Sequence, residues 1–264
     1  MSEPGVRVEV GEQVGTIVFD RPTAMNALDG PAKTALLDAL AELGADPRIR
    51  CVVLTGTGRA FCVGQDLREH VQLLTEATPD QVWRTVPEQY NPIAAALHEM
   101  DKPVLAAVNG VAAGAGASLA FLADYRLVKA SAGFNLAFAG IALSCDTGCS
   151  WTLPRLVGPT RALQLLFQPR MIGAAELLQL GIATEVVDDE AFEDRVHDLG
   201  VALAQGPTVA YAAMRRSVSY SAAHPLAESL DFEAEMMRRT GASADHRRAV
   251  EAFLAKERPV FTGS

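Results

Sequence analysis

Residues 103–120 read Pro-Val-Leu-Ala-Ala-Val-Asn-Gly-Val-Ala-Ala-Gly-Ala-Gly-Ala-Ser-Leu-Ala, and this stretch constrains the fold more than any other. The apolar segment 104–108 reads as a strand that runs into Asn109-Gly110. A run of tiny residues follows, and then an apolar helix over 117–123. Tiny side chains at a strand-to-helix turn let another group approach the backbone closely. They also leave the N–H groups of the helix start free to face an oxygen carrying negative charge. A tight turn packed against a neighbouring helix would use the same residues, and both readings stand on this stretch alone.

The rest of the chain repeats the theme of short apolar strands and helices. Residues 6–10 and 14–19 alternate apolar and polar around Gly11-Glu12, as in a β-hairpin. A helix follows over 31–43, with Asp29 as its cap and Pro31 near its first turn. A buried strand is expected at 51–54, a turn at 55–58 and a second apolar segment at 60–67. Residues 68–76 and 81–100 read as helices, the latter interrupted at Pro87 and Pro92. Strands are expected at 125–128, over part of 132–138, and at 185–187 as the last strand of a sheet. Helices fall at 160–167 and 174–180, and another starts at Trp151. From Glu190 the pattern is nearly all helix: 190–205, 208–220, 226–240 and 245–256. Strands interspersed with helices, then helices alone, indicate an α/β core over 1–190 and a helical part over 191–264.

The totals agree with one large domain. A 264-residue chain with 49% hydrophobic and 21% charged residues can bury a sizeable core. Its formal charge of −9 disfavours general binding to nucleic acid or a membrane surface. Met1-Ser-Glu-Pro-Gly5 shows no basic and apolar leader, and no apolar run reaches transmembrane length, so a cytoplasmic location is expected. The four cysteines (Cys51, Cys62, Cys145, Cys149) read as small buried hydrophobes. The C-x3-C pair has no second Cys/His pair near it, so no metal site is expected.

Two places supply candidate backbone donors: Gly64-Gln65-Asp66, after an apolar strand, and Gly114-Ala115-Gly116, at a helix start. If these turns lie side by side, the Gln65 and Ala115 N–H groups converge on one oxygen and form an oxyanion hole. As a dinucleotide fingerprint the second run is poor, because Leu119 replaces the third glycine.

Ala60-Phe-Cys-Val-Gly-Gln-Asp-Leu67 resembles the AFCAGADL signature of the crotonase (enoyl-CoA hydratase/isomerase) superfamily. Asn109-Gly-Val-Ala-Ala-Gly-Ala-Gly116 resembles its NGxAxGGG segment, and Arg21-Pro-Thr-Ala-Met-Asn-Ala-Leu28 its RPxxxNAL. Phe253-Leu-Ala-Lys-Glu-Arg-Pro-Val-Phe-Thr-Gly263 resembles its C-terminal FxxKRxPxFxG. The matches occur in order and span essentially the whole chain. The resemblance implies an α/β crotonase fold, a spiral of ββα units with a C-terminal helical region, assembled as a trimer or a dimer of trimers. It implies an acyl-CoA thioester substrate whose carbonyl sits between the N–H groups of Gln65 and Ala115. Coenzyme A would be part of that substrate, with no separate cofactor. It places Arg59 and Arg68 on the CoA phosphates, and Lys256, beside Phe253, in a contact across a subunit interface. Further substrate contacts are implied at Ala24, Met25, Val63, Gly64, Asp66, Leu67, Gly114 and Phe138. Each of the three basic residues also suits an ordinary solvated charge.

Typical hydratases of the family carry two glutamates that add water. Here their places fall on Ser118 and Phe138, neither of them a carboxylate. Asp146 remains. It lies in Ser144-Cys-Asp-Thr-Gly-Cys-Ser-Trp-Thr-Leu-Pro-Arg155, which resembles PDxGGTWxLPR of the ring-1,2-epoxyphenylacetyl-CoA isomerases and related double-bond isomerases. In those enzymes an aspartate at this place shuttles protons. One carboxylate suffices for a 1,3-proton shift, and an apolar pocket (Phe138, Ile141, Leu143, Trp151) would raise its pKa usefully. Asp146 equally suits a helix cap. Related 4-chlorobenzoyl-CoA dehalogenases pair such an aspartate with a tryptophan where this chain has Phe138, which disfavours that chemistry. The five histidines form no triad. Isomerisation or ring-epoxide opening of a CoA thioester is therefore expected, with water addition or non-catalytic acyl-CoA binding as alternatives.

Overall fold

A computed structural model describes residues 5–264; residues 1–4, which carry most of the N-terminal leader reading, lie outside the described residues. Ten strands form two sheets: β1 (Val6–Gly11), β2 (Val14–Phe19), β3 (Cys51–Gly56), β4 (Ala60–Cys62), β5 (Val104–Val108), β6 (Val111–Ala113), β7 (Tyr125–Lys129), β8 (Gly133–Asn135), β9 (Met171–Gly173) and β10 (Glu185–Val187). The larger sheet runs β1-β2-β3-β5-β7-β10 and the smaller β4-β6-β8-β9. Among the described residues only the pairs β1–β2 and β8–β9 are antiparallel. Each of the pairs β3–β4, β5–β6 and β7–β8 sends one strand to each sheet before the chain turns helical. That repeat is the spiral of ββα turns.

The helices are α1 (Gly30–Ala45), α2 (Leu67–Glu76), α3 (Pro79–Trp83), α4 (Asn91–His98), α5 (Ala115–Leu122), α6 (Cys149–Val157), α7 (Pro159–Phe167), α8 (Ala174–Gln179), α9 (Phe192–Ala204), α10 (Thr208–Ser221), α11 (Leu226–Gly241) and α12 (Ala244–Ala255). None is long and apolar enough to cross a membrane among the described residues.

The strand at the head of the tiny-residue run explains the layering. All five β5 side chains are buried, as expected of a central parallel strand covered on both faces. Val104, Ala106 and Val108 join the main core with Leu54, Phe61, Tyr90 and Leu119. Leu105 and Ala107 point the other way, into a second core with Val53, Leu127 and the α9 residues Phe192 and Leu203. The asparagines of two motifs tie the turns together. Asn26 donates to the carbonyls of Thr57 and Ala60, and the Asn109 side chain accepts from Gly56 N–H. At the C-terminus, the Asp245 carboxylate accepts from the N–H groups of Thr262 and Gly263, and Arg50 donates to the Phe261 carbonyl.

Several local readings need correction. The hairpin turn is Glu12-Gln13, both at positive φ, rather than Gly11-Glu12. β3 continues through Thr55-Gly56, because these residues pair with β2. The run after Asn109 is not all turn: Val111–Ala113 is a strand of the smaller sheet. Pro87 and Pro92 do not break the helical path. Pro87 lies in a π-helical turn over Val86–Tyr90, and Pro92 sits in the first turn of α4, directly continuous with it. β9 was not anticipated.

Candidate active site

The two glycine turns lie against each other. Gly64, just past β4, has φ +82°, and a Cβ there would stand 3.0 Å from the Ala115 nitrogen. A Cβ on Gly116 would stand 2.0 Å from the Cys62 carbonyl oxygen, closer than any real contact. These positions must be glycine for α5 to start beside the end of β4.

The same backbone course leaves two donors bare. Leu28 N–H donates to Gly64 O and Asp66 N–H to Leu28 O, so the Gln65 N–H between them points away. Gly114 N–H donates to Asn135 O, and Ser118 N–H closes the first turn of α5 on Gly114 O. The Ala115 N–H, at the first position of α5, lies before any intrahelical acceptor. Among the described residues neither Gln65 N–H nor Ala115 N–H has an acceptor in the protein.

Gln65 and Ala115 both line a cleft of ≈ 1230 Å³. Ala24, Met25, Val63, Gln65, Asp66, Leu67, Arg68, Gly114, Ala115, Phe138 and Asp146 all line it. Gly64 does not line it, though its neighbours Val63 and Gln65 do. Three further expected binding residues do not line it. Arg59 is exposed in the β3–β4 turn, and Phe253, 81% exposed, and Lys256 lie at the end of α12. Of the expected apolar wall, Phe138, Ile141 and Leu143 are present, but Trp151 is not. Its ring packs on His98 and under the Arg155 guanidinium, in a separate cavity. Trp83 and Val86, unanticipated, complete the apolar lining.

Three carboxylates line the cleft, and their partners separate them. Asp20 is bound by the Arg7 Nε at 3.0 Å and the Thr57 hydroxyl at 2.9 Å. Asp66 caps α2, accepting from Arg68 N–H, and pairs with Arg21 at 3.0 Å; Arg21 also holds Asp29 at 3.0 Å. Among the described residues Asp146 has no cationic partner within ion-pair distance, and it accepts from the Thr147 hydroxyl at 3.0 Å. Burial pushes its pKa up from the ordinary carboxylate value, while that hydroxyl and the charge of Lys33 pull it back part of the way. The helix-cap reading of Asp146 does not hold: the N-cap of α6 is Gly148, and no side chain caps it.

Ser118 is fully buried, and its hydroxyl donates back to Gly114 O at 3.2 Å rather than facing the cleft. Phe138, the other position where the resemblance implies a hydratase carboxylate, lines the cleft with a phenyl ring. The Cys62 and Cys149 thiols, pushed up to about 12 by burial, are held in their inert protonated form.

A polar cluster behind Gln65 was missed by sequence reasoning. The Gln65 carboxamide oxygen accepts from Lys33 Nζ at 3.1 Å and from the Tyr90 hydroxyl at 3.0 Å, and its Nε2 donates to Glu69 at 3.0 Å. Lys33 alone among these carried a sequence signal, as a lysine on the apolar face of α1 beside Leu36 and Leu40.

The Enoyl-CoA hydratase/isomerase family model matches residues 9–264. A Rhodobacter capsulatus protein named "Probable enoyl-CoA hydratase" is 41% identical over 263 residues, covering 100% of both chains. The 1,2-epoxyphenylacetyl-CoA isomerase of Escherichia coli is 38% identical, covering 96% of this chain and 97% of its own. The crystal structure of an enoyl-CoA hydratase/isomerase from Cupriavidus metallidurans superposes with a TM-score of 0.91 at 29% identity, covering 98% of this chain and 96% of that one. With its ββα spiral and these full-length matches, the chain belongs to the enoyl-CoA hydratase/isomerase family of the crotonase superfamily.

Proposed function

We propose that this enzyme shifts a double bond, or opens a ring epoxide, in an acyl-CoA thioester by way of an enolate. The observation that carries the reading is Asp146: a half-buried cleft carboxylate without an ion-pair partner among the described residues, where the two hydratase positions hold Ser118 and Phe138. For the double-bond shift, the Asp146 carboxylate takes a proton from the carbon next to the thioester carbonyl. The electron pair moves onto the carbonyl oxygen, which lies between the N–H groups of Gln65 and Ala115. The protonated Asp146 then returns the proton two carbons away, and the enolate collapses to the conjugated thioester. Its raised pKa suits both halves of the exchange. Arg68 at the cleft wall would meet the CoA phosphates. Exposed Phe253 and Lys256 would reach the cleft of a neighbouring subunit in a trimer or dimer of trimers.

A panel of acyl-CoA thioesters assayed side by side for isomerisation and hydration tests the reading. Asp146→Asn should lower isomerisation by about 10²–10⁴-fold. Full turnover in that variant sinks the assignment. Water addition to crotonyl-CoA at ordinary family rates would select the hydratase reading, which the Rhodobacter capsulatus relative's name also raises. Binding without any α- or γ-proton exchange in heavy water would select a non-catalytic binder.

The same variant has a stability signature. Asp146 has a folded pKa above its unfolded one, so its contribution to folding is most favourable at low pH and is lost as pH rises through the folded value. At pH 7 the ionised group therefore costs stability. Asp146→Asn should raise Tm at pH 7, with the gain shrinking as pH falls through the raised folded value and gone below the ordinary carboxylate value of about 4. Thermal melts across that range check it.

A further inference from the structure

Lys33 is only 2% exposed and lies on a helix face otherwise made of Ala32, Leu36, Ala39 and Leu40. Its ammonium donates to Gln65 Oε1 at 3.1 Å and to Thr85 Oγ1 at 2.7 Å, and lies 3.7 Å from Glu69 Oε2. The nitrogen is 5.2 Å from the centroid of the Tyr90 ring. Burying an ammonium with one carboxylate partner is poor use of a core position for stability, since apolar residues of similar volume do as well or better. Apart from Thr85, the groups around this ammonium are tied to one residue: Glu69 and Tyr90 both hydrogen-bond the Gln65 carboxamide, and the Gln65 backbone N–H is one of the two bare donors.

We propose that Lys33 is a positioning residue of the oxyanion site: its buried ammonium fixes the Gln65 carboxamide, and with it the Gln65 N–H, and sets a positive charge behind the oxygen that becomes negative. The proposal rests on the oxyanion hole of the function proposed above and does not depend on Asp146 being the base. The Gln65 side chain is gripped from three elements. Lys33 holds it from α1, Glu69 from α2 and Tyr90 from the π-helical turn before α4. Glu69 is itself fixed, accepting from Gly30 N–H at 2.8 Å. Such a grip leaves the donor preorganised before any charge develops.

The charged groups facing Lys33 are Glu69 on α2, Asp29 and Asp66 at the N-caps of α1 and α2, and Asp146 in the cleft wall; the Tyr90 phenol faces it as well. Burial lowers the pKa of the ammonium, and Glu69, Asp29 and Asp66 push it back up. In turn the ammonium draws Asp146 toward its ionised form.

The probe is acetoacetyl-CoA, a thioester that ionises to an ultraviolet-absorbing enolate and so reports the hole without turnover. It is titrated with pH on the wild type, on Lys33→Gln, which keeps a donor to Gln65 without the charge, and on Lys33→Met, which removes both. The pH at which the bound enolate forms should rise by about one unit in both variants, because each lacks the charge that favours the anion. Enolate affinity at fixed pH should fall about 10-fold in Lys33→Gln, which loses the charge, and further in Lys33→Met, which loses the donor as well. Circular dichroism establishes which variants are folded, and either folded variant decides the outcome. A merely structural lysine would lower Tm and leave the enolate midpoint in place, and an unmoved midpoint overturns the proposal. No enolate on the wild type would overturn the oxyanion hole and this proposal together. Enolate binding with normal isomerisation by Asp146→Asn would overturn the assignment of the base and leave Lys33 standing.

Discussion

The two arms of the candidate oxyanion site present the same group, a bare backbone N–H, and hold it by opposite means. The Ala115 arm is all backbone and tiny residues. Gly116 lets α5 start against the Cys62 carbonyl, and the helix start itself bares the donor. The Gln65 arm follows a strand of only three residues and is held by side chains from three elements. One arm is rigid because nothing larger than hydrogen fits; the other is rigid because its carboxamide is bonded at both ends. A steric arm should therefore fail abruptly, and a hydrogen-bonded arm by degrees.

The largest expected effect breaks the steric arm. Gly116→Ala would drive a methyl to 2.0 Å from a backbone oxygen that has no side chain to move aside. We expect a loss of about 3 kcal/mol or more in folding stability, read by denaturant unfolding, with little soluble active protein. A stable, active Gly116→Ala enzyme would show that the arms are less different than their geometry says.

Next comes the hydrogen-bonded arm. Gln65→Leu keeps the backbone N–H and removes the carboxamide, leaving Lys33, Tyr90 and Glu69 each without one partner. The expected cost is about 2 kcal/mol in stability. Turnover should fall about 10-fold with KM little changed, since the donor is loosened rather than removed. Unchanged turnover would mean that the side-chain grip has no part in aiming the N–H.

The contrast also explains what could be read from the chain. The Ala115 arm was legible because its constraint is local: Gly114-Ala-Gly116 after an apolar strand states a close approach by composition alone. Caps are local as well, and Asp29 accepts from Ala32 N–H as its position before Pro31 implied. The grip on Gln65 was not legible, because Lys33, Glu69 and Tyr90 are up to 57 positions apart in sequence and meet only once α1, α2 and the π-helical turn pack. β9 escaped notice because three residues carry no periodicity; its pairing with β8 defines it. Trp151 was placed in the wrong cavity for a related reason. The segment preceding α6 fixes Asp146 toward the cleft, but the helical turn then carries Trp151 round to His98.

A smaller effect sharpens the Gln65 arm. Tyr90→Phe deletes one of two donors to Gln65 Oε1, in a side chain that is otherwise fully buried and would keep its packing. Lys33 still satisfies that oxygen, so the loss should be about 1 kcal/mol in stability and a few-fold in turnover. An effect as large as that of Gln65→Leu would move the main support of the arm from Lys33 to Tyr90.

The smallest effect is expected on the steric arm, from the one polar side chain it contains. The Ser118 hydroxyl donates to Gly114 O at 3.2 Å, but that oxygen already accepts from Ser118 N–H at 3.1 Å. Removing the hydroxyl therefore leaves no carbonyl unsatisfied. It opens only a small gap beside Cys149, whose thiol the hydroxyl meets. Serine bonded back to the carbonyl four residues earlier is mildly unfavourable in a helix, and alanine is the better helix former, so the terms offset. Ser118→Ala should change stability by about 0.5 kcal/mol or less and leave turnover within twofold. If it instead lowered turnover as much as Gln65→Leu, the Ala115 arm would also depend on a side chain, and the distinction between the arms would fail at its simplest point.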